Sequence, residues 1–151
     1  MEKMDARKRY TQMVLKQSFL KLLKEKPVNR ITVKEVCALA QLNRATFYAH
    51  YSDCFALMES IENELIDAFE KSLRYVNLFD VTALIEAIYD MVDQNQAACR
   101  VLILGNTGAT VLMRMIALAK EESIAYWRKE LPNADETELE MMYTHLSNGL
   151  M

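Results

Sequence analysis

Glycine and proline are almost missing from this chain. Of 151 residues, only Gly105, Gly108, Gly149, Pro27 and Pro132 belong to either type. An all-β fold needs turn residues about every 8–12 positions, and five cannot supply them. The remaining sequence is rich in Leu, Ala, Met, Glu and Lys, all good helix formers. With 52% apolar residues it can bury a full-sized core. The expected fold class is all-α.

Hydrophobic spacing places the helices. Tyr10, Val14, Leu15, Phe19, Leu22 and Leu23 recur at helical period, predicting a first helix over residues 5–25 that ends before Pro27. Thr32 followed by Glu35 is a capping-box pattern opening a short second helix. After a tight break at residues 40–42, Asn43 caps a third helix that runs to about residue 50. Ser52 or Asp53 caps a fourth, to about residue 76. Asp80 opens a helix to about residue 94, and another spans about 96–104. Gly105 and Gly108 bracket a turn, a long helix covers about 109–131 before Pro132, and a last helix starts near Asp135. Two short helices three or four residues apart, behind an apolar helix, describe a helix-turn-helix.

The charge is divided along the chain. Residues 1–52 carry eleven basic and four acidic side chains, a balance of +7; residues 53–151 carry seven and seventeen, a balance of −10. A polyanion-binding head, 1–52, on an acidic body, 53–151, accounts for that asymmetry. No apolar stretch reaches the roughly 18 uncharged residues of a membrane span, and the polar N-terminus lacks the apolar core of a secretory signal. Cys37, Cys54 and Cys99 are odd in number and far apart. They read as reduced cytoplasmic thiols, neither a disulfide framework nor a metal site. No Ser-His-Asp or Cys-His arrangement, phosphate-cradling glycine loop or metal-ligand cluster is present, so neither an enzyme nor a resident cofactor or metal is expected.

The stretch NRATFYAHYSD, residues 43–53, packs four aromatic rings behind an Arg and a Thr. Its wider setting, ITVKEVCALAQLNRATFYAHYSDCFAL, residues 31–57, resembles the DNA-binding head of the TetR/AcrR (tetracycline-repressor) family. The resemblance is dense over about 45 residues; the rest agrees in helix count and length. It implies a three-helix helix-turn-helix head on a helical C-terminal dimerisation and ligand-sensing body, acting as a homodimer on a palindromic operator in double-stranded DNA. By similarity, Arg44 and Ala45 face bases at the start of the recognition helix. Arg can grip guanine bidentately and Ala can touch a thymine methyl. Thr46, Tyr48 and His50 match positions that mostly hold phosphates, with Tyr48 also near bases. Thr32 and Lys34 match a phosphate contact and a reach toward base or backbone. Phe47 is expected in the core and Tyr51 at the junction with the fourth helix. Two departures stand out: Gln41 occupies a turn position where many members have Gly, and Cys54 stands where they often carry Lys. The basic N-terminus, Lys3, Arg7, Lys8 and Arg9, reads equally as a solvated arm or a groove contact.

The resemblance further implies a regulator, a repressor released by a small effector. A body that binds a protein partner, making an adaptor or co-activator, is the alternative. Met91, Met113, Met115, Met141 and Met142 can line an adaptable pocket or fill ordinary core. The ligand-contact candidates are Tyr89, Arg100, Met113, Arg114, Tyr126 and Trp127; Arg114 interrupts the apolar run ATVLMRMIALA. His145 reads as structural. The apolar ending LSNGLM leads us to expect a native chain longer than Met151.

Overall fold

A computed structural model describes residues 2–74, 76–103 and 108–149. Among them are eight α-helices and no strand: α1 (Glu2–Leu23), α2 (Val33–Ala40), α3 (Arg44–Tyr48), α4 (Cys54–Leu73), α5 (Val81–Gln94), α6 (Gln96–Leu102), α7 (Gly108–Glu130) and α8 (Glu136–Gly149). The fold class is all-α, as the scarcity of turn residues requires. Leu104 and the turn expected from Gly105 fall outside the described residues, as do Leu150 and Met151 at the apolar end. The side chain of Lys3 is likewise outside the description.

The chain divides into two compact units. The first comprises Met1–Leu65 and Ala97–Gly105, and the second Ile66–Gln96 and Asn106–Met151, so the boundary falls within α4. The basic segment 1–52 lies wholly in the first unit.

In the first unit α1 packs on α2 and α2 on α3. Leu15 and Phe19 from α1, Val36 from α2, Phe47 from α3 and Leu57 from α4 have no exposed surface. Helix α1 ends two residues earlier than its apolar period suggests. The amides of Lys24 and Glu25 reach back three residues, to Lys21 and Leu22, as the helix unwinds ahead of Pro27. A single 3-10 turn, Val28–Arg30, then carries the chain to α2. An ion pair between Lys16 and Glu64 ties α1 to α4.

In the second unit α7 packs on α8. Ile124 and Trp127 meet Leu139 there, with Tyr126, Ala134, Met142 and Tyr143 around them. Phe79 stacks on Trp127 at 5.8 Å. Asp80 opens α5 by accepting from the amides of Thr82 and Ala83, at 3.0 and 3.1 Å. Asp135 and Glu138 form a reciprocal box at the start of α8, each carboxylate accepting the other's amide at 2.9 Å. Lys120–Glu140, at 3.0 Å, and Arg128–Glu136 link α7 to α8. Such exposed pairs contribute about 0–1 kcal/mol each, so the aromatic cluster carries most of this packing.

Candidate nucleic-acid interface

Two short helices must be held rigidly for their outer faces to present anything. Helix α2 starts at Thr32, which is extended at φ −108°. Its hydroxyl accepts from the amide of Glu35 at 3.3 Å, and Glu35 accepts from the amide and hydroxyl of Thr32 at 2.9 and 2.8 Å. Lys26 also pairs with Glu35. The Lys26 ammonium first, then the Thr32 amide and hydroxyl, hold the Glu35 carboxyl at about 2, against an ordinary 4.5. The cap of α2 is thereby fastened to the chain leaving α1.

The turn closes by backbone alone. The amide of Leu42 donates to the carbonyl of Cys37 at 2.9 Å and that of Gln41 to Ala38 at 3.3 Å. This is a Schellman arrangement, which requires a left-handed residue at its corner. That residue is Gln41, at φ 55° and ψ 40°; among the described residues no other non-glycine has positive φ. Glycine would adopt this conformation without a Cβ penalty.

Helix α3 has only five residues and would not persist alone. Asn43 caps it: Oδ1 accepts the Thr46 amide at 2.7 Å and the Thr46 hydroxyl at 2.9 Å. Phe47 anchors it from below, at 0% exposure. Tyr48 stands edge-on to Phe47 at 5.6 Å and is 57% exposed. Tyr51 is buried, 5.9 Å from Phe47.

The structure therefore sorts the head residues. Lys34, Arg44, Ala45 and Tyr48 are exposed. Among the described residues neither Lys34 nor Arg44 is held in an ion pair. Thr32 is exposed and Thr46 half-buried, but each hydroxyl already donates its proton to a capping partner. Either must release that bond before donating to a phosphate. His50 is half-buried, with Nδ1 shielded and without a partner among the described residues. At the head of α4, Asp53 rather than Ser52 provides the cap, accepting the Ala56 amide at 2.8 Å. Cys54 beside it is buried.

The comparisons with known proteins meet this geometry. No protein-family model matches the chain. A curated relative, the uncharacterised HTH-type transcriptional regulator YxbF of Bacillus subtilis (strain 168), is 30% identical over 59 residues. The chain spans only 16% of that relative's length, and the match covers 39% of this chain. The crystal structure of a transcriptional regulator of the TetR/AcrR family from Aquifex aeolicus VF5 superposes with a TM-score of 0.59 at 18% identity. The match covers 91% of this chain and 83% of that one. The fold is the TetR/AcrR fold.

Against the TetR/AcrR pattern the two departures take physical form. Gln41 does adopt the left-handed conformation that many members give to Gly, at roughly 1 kcal/mol. Cys54 places a buried thiol at the start of α4, where members often carry Lys. Burial, and next the charge of Asp53, push that thiol up from its ordinary value. Burial also raises Cys37, partly offset by Arg44, and Cys99. None of the three is poised as a thiolate.

The body residues expected to meet a ligand do not share one place. Met113 and Arg114 line an open groove of about 480 Å³ on α7 with Thr110 and Ala117. Tyr126 and Trp127 belong to the aromatic cluster with Phe79 and Tyr143; Trp127 is 2% exposed, and the Tyr126 hydroxyl lies 3.2 Å from Asn77 Oδ1. Tyr89 is exposed on α5. Arg100, on α6, belongs to the first unit. A second cavity, about 390 Å³ between α4 and α5, is lined by none of the six. Its polar residues, Lys71, Ser72, Asp90, Gln94 and Asn95, carry no sequence pattern that marks them, because they meet only once α4 and α5 pack. Among the described residues no cluster of His, Cys, Asp and Glu is placed to hold a metal ion, and no helix is long and apolar enough to cross a membrane.

Proposed function

We propose that this chain is a sequence-specific DNA-binding transcription regulator, a cytoplasmic homodimer that represses from a palindromic operator and is released by a small effector. One observation carries the DNA reading. Helix α3 is capped by Asn43 and pinned by buried Phe47, so that Arg44, Ala45 and Tyr48 face outward together. A guanidinium and a phenol on a rigid helix have the chemistry to read guanine edges and hold phosphates. The +7 balance of residues 1–52 supplies the long-range attraction. Lys34 adds a cation at the start of α2; Thr32 and Thr46, once their capping bonds rearrange, and His50 contribute to backbone positioning.

The dimer reading is supported by the resemblance to the TetR/AcrR family and by the need for two heads on a palindrome. Half-sites should lie about one helical turn, or a near multiple, apart. Effector release requires only that a ligand prefer one of two body conformations. Open cavities of about 390 and 480 Å³ in the second unit fall within the roughly 300–1,000 Å³ range of small-ligand sites.

The adaptor reading retains one supporting feature. Helix α5 exposes Ile85, Tyr89 and Val92 at spacings of four and three, an apolar stripe on one face.

In-vitro selection of bound duplexes with the full chain tests the proposal. A pseudo-palindromic winner is expected, together with a dimer mass in sedimentation. Random sequences after many rounds would remove sequence-specific reading from the account.

A further inference from the structure

We infer that the cavity between α4 and α5 takes a small zwitterion, a molecule carrying a carboxylate and an ammonium group together. As an assignment of effector class this rests on the effector-release reading above; the binding itself does not.

The cavity holds about 390 Å³, and its lining includes one cation, Lys71 of α4, and one anion, Asp90 of α5. Ion pairs form in this unit: Lys120 with Glu140, Arg128 with Glu136, and, at the end of α4, Arg74 with Glu70. Lys71 and Asp90 belong to none of them. Among the described residues neither has an ion-pair or hydrogen-bond partner.

The residues around them leave room. Ala68 and Ala87 line the same cavity with single methyl groups. The Asn95 amide is fixed by donating to the Met91 carbonyl at 2.8 Å, which leaves its Oδ1 available as an acceptor. Gln94 supplies a second amide.

A ligand carboxylate can accept from the Lys71 ammonium while its own ammonium donates to Asp90. Both contacts are then charge-assisted hydrogen bonds. A simple anion satisfies Lys71 but approaches the Asp90 carboxylate unpaired; a simple cation meets the reverse difficulty. Because both side chains are solvent-exposed, each contact alone is weak. Selectivity comes from making the two at once.

The test is calorimetric titration of the full chain, without DNA, by three related probes. L-norleucine carries both groups, hexanoate lacks the amine, and n-pentylamine lacks the carboxylate. Norleucine should bind at least about tenfold tighter than either of the others. Lys71→Ala and Asp90→Ala should each weaken norleucine at least about tenfold. The double exchange, Lys71→Asp with Asp90→Lys, should restore most of that binding by reversing the ligand.

Equal affinity for all three probes, or norleucine binding indifferent to both substitutions, overturns the assignment. So does the lack of saturable norleucine binding. The effector reading fails separately. Norleucine binding that leaves duplex affinity unchanged keeps the site and removes its regulatory role. Duplex release by another compound, with no norleucine binding, does the reverse.

Discussion

The turn between α2 and α3 and the packing of α7 on α8 hold their helices together by different means. The first joins an eight-residue helix to a five-residue one, both too short to persist alone. Its order comes from reciprocal caps at Thr32–Glu35 and Asn43–Thr46, a Schellman turn, and one buried ring, Phe47. The second joins a 23-residue helix to a 14-residue one through Trp127, Ile124 and Leu139. Caps there are accessory to an aromatic core. A short helix held by fixed polar ends can present a hard, oriented outer face. A long helix held by apolar packing can shift without leaving a cap unsatisfied. The proposed roles of reader and sensor call for those respective properties.

The contrast can be broken at several points. The largest effect is expected from Phe47→Ala, which removes the ring that pins α3. Truncating a buried Phe costs about 3–5 kcal/mol. Thermal unfolding by circular dichroism should show the loss, and Tyr48→Ala on the same helix should leave the melt nearly unchanged.

Asn43→Ala strips the cap from α3 and should cost about 1 kcal/mol. Urea titration measures it. Glu136→Ala, at the exposed start of α8, should cost no more than about 0.5 kcal/mol. If Asn43→Ala costs no more than Glu136→Ala, caps do not hold the head as argued.

Gln41→Gly should run the other way, stabilising the chain by up to about 1 kcal/mol through relief of the left-handed backbone. Gln41→Val, β-branched at positive φ, should destabilise it.

The smallest effect is a pH dependence. Glu35 is held at about 2, below its ordinary 4.5, so its contribution to folding is fully present above 4.5. It is lost as pH falls toward 2. Glu35→Gln should flatten that part of the stability profile and leave neutral pH with only the weaker cap. A profile that Glu35→Gln does not alter would detach Lys26 and Thr32 from the stability of α2.

How much was legible in the sequence follows the same division. Caps are local, so Thr32, Asn43, Asp80 and Asp135 mark their helices within a few residues. The helical period separates Phe47, inward, from Arg44 and Tyr48, outward. The absence of Gly at position 41 pointed to the left-handed corner found there. What could not be read are contacts made through the turn or between helices. Lys26 reaches Glu35 across nine residues by way of a proline and a 3-10 turn. Lys71 and Asp90 come to one cavity only after α4 and α5 pack. Five of the six ligand candidates are polar or aromatic side chains and the sixth is Met113, properties that do not encode direction. Trp127 turned inward, Tyr89 outward, and Met113 and Arg114 share a groove.

The central claim is that the outward face of α3 reads duplex DNA. It is tested most directly by measuring the affinity of a selected duplex for the full chain and for Arg44→Ala and Tyr48→Ala. Both side chains are exposed, so both variants should keep the wild-type melt. The account predicts a loss of about 1–3 kcal/mol in specific binding for Arg44→Ala, a smaller discrimination against altered half-sites, and a marked loss for Tyr48→Ala. Wild-type affinity and wild-type discrimination in both folded variants would contradict it.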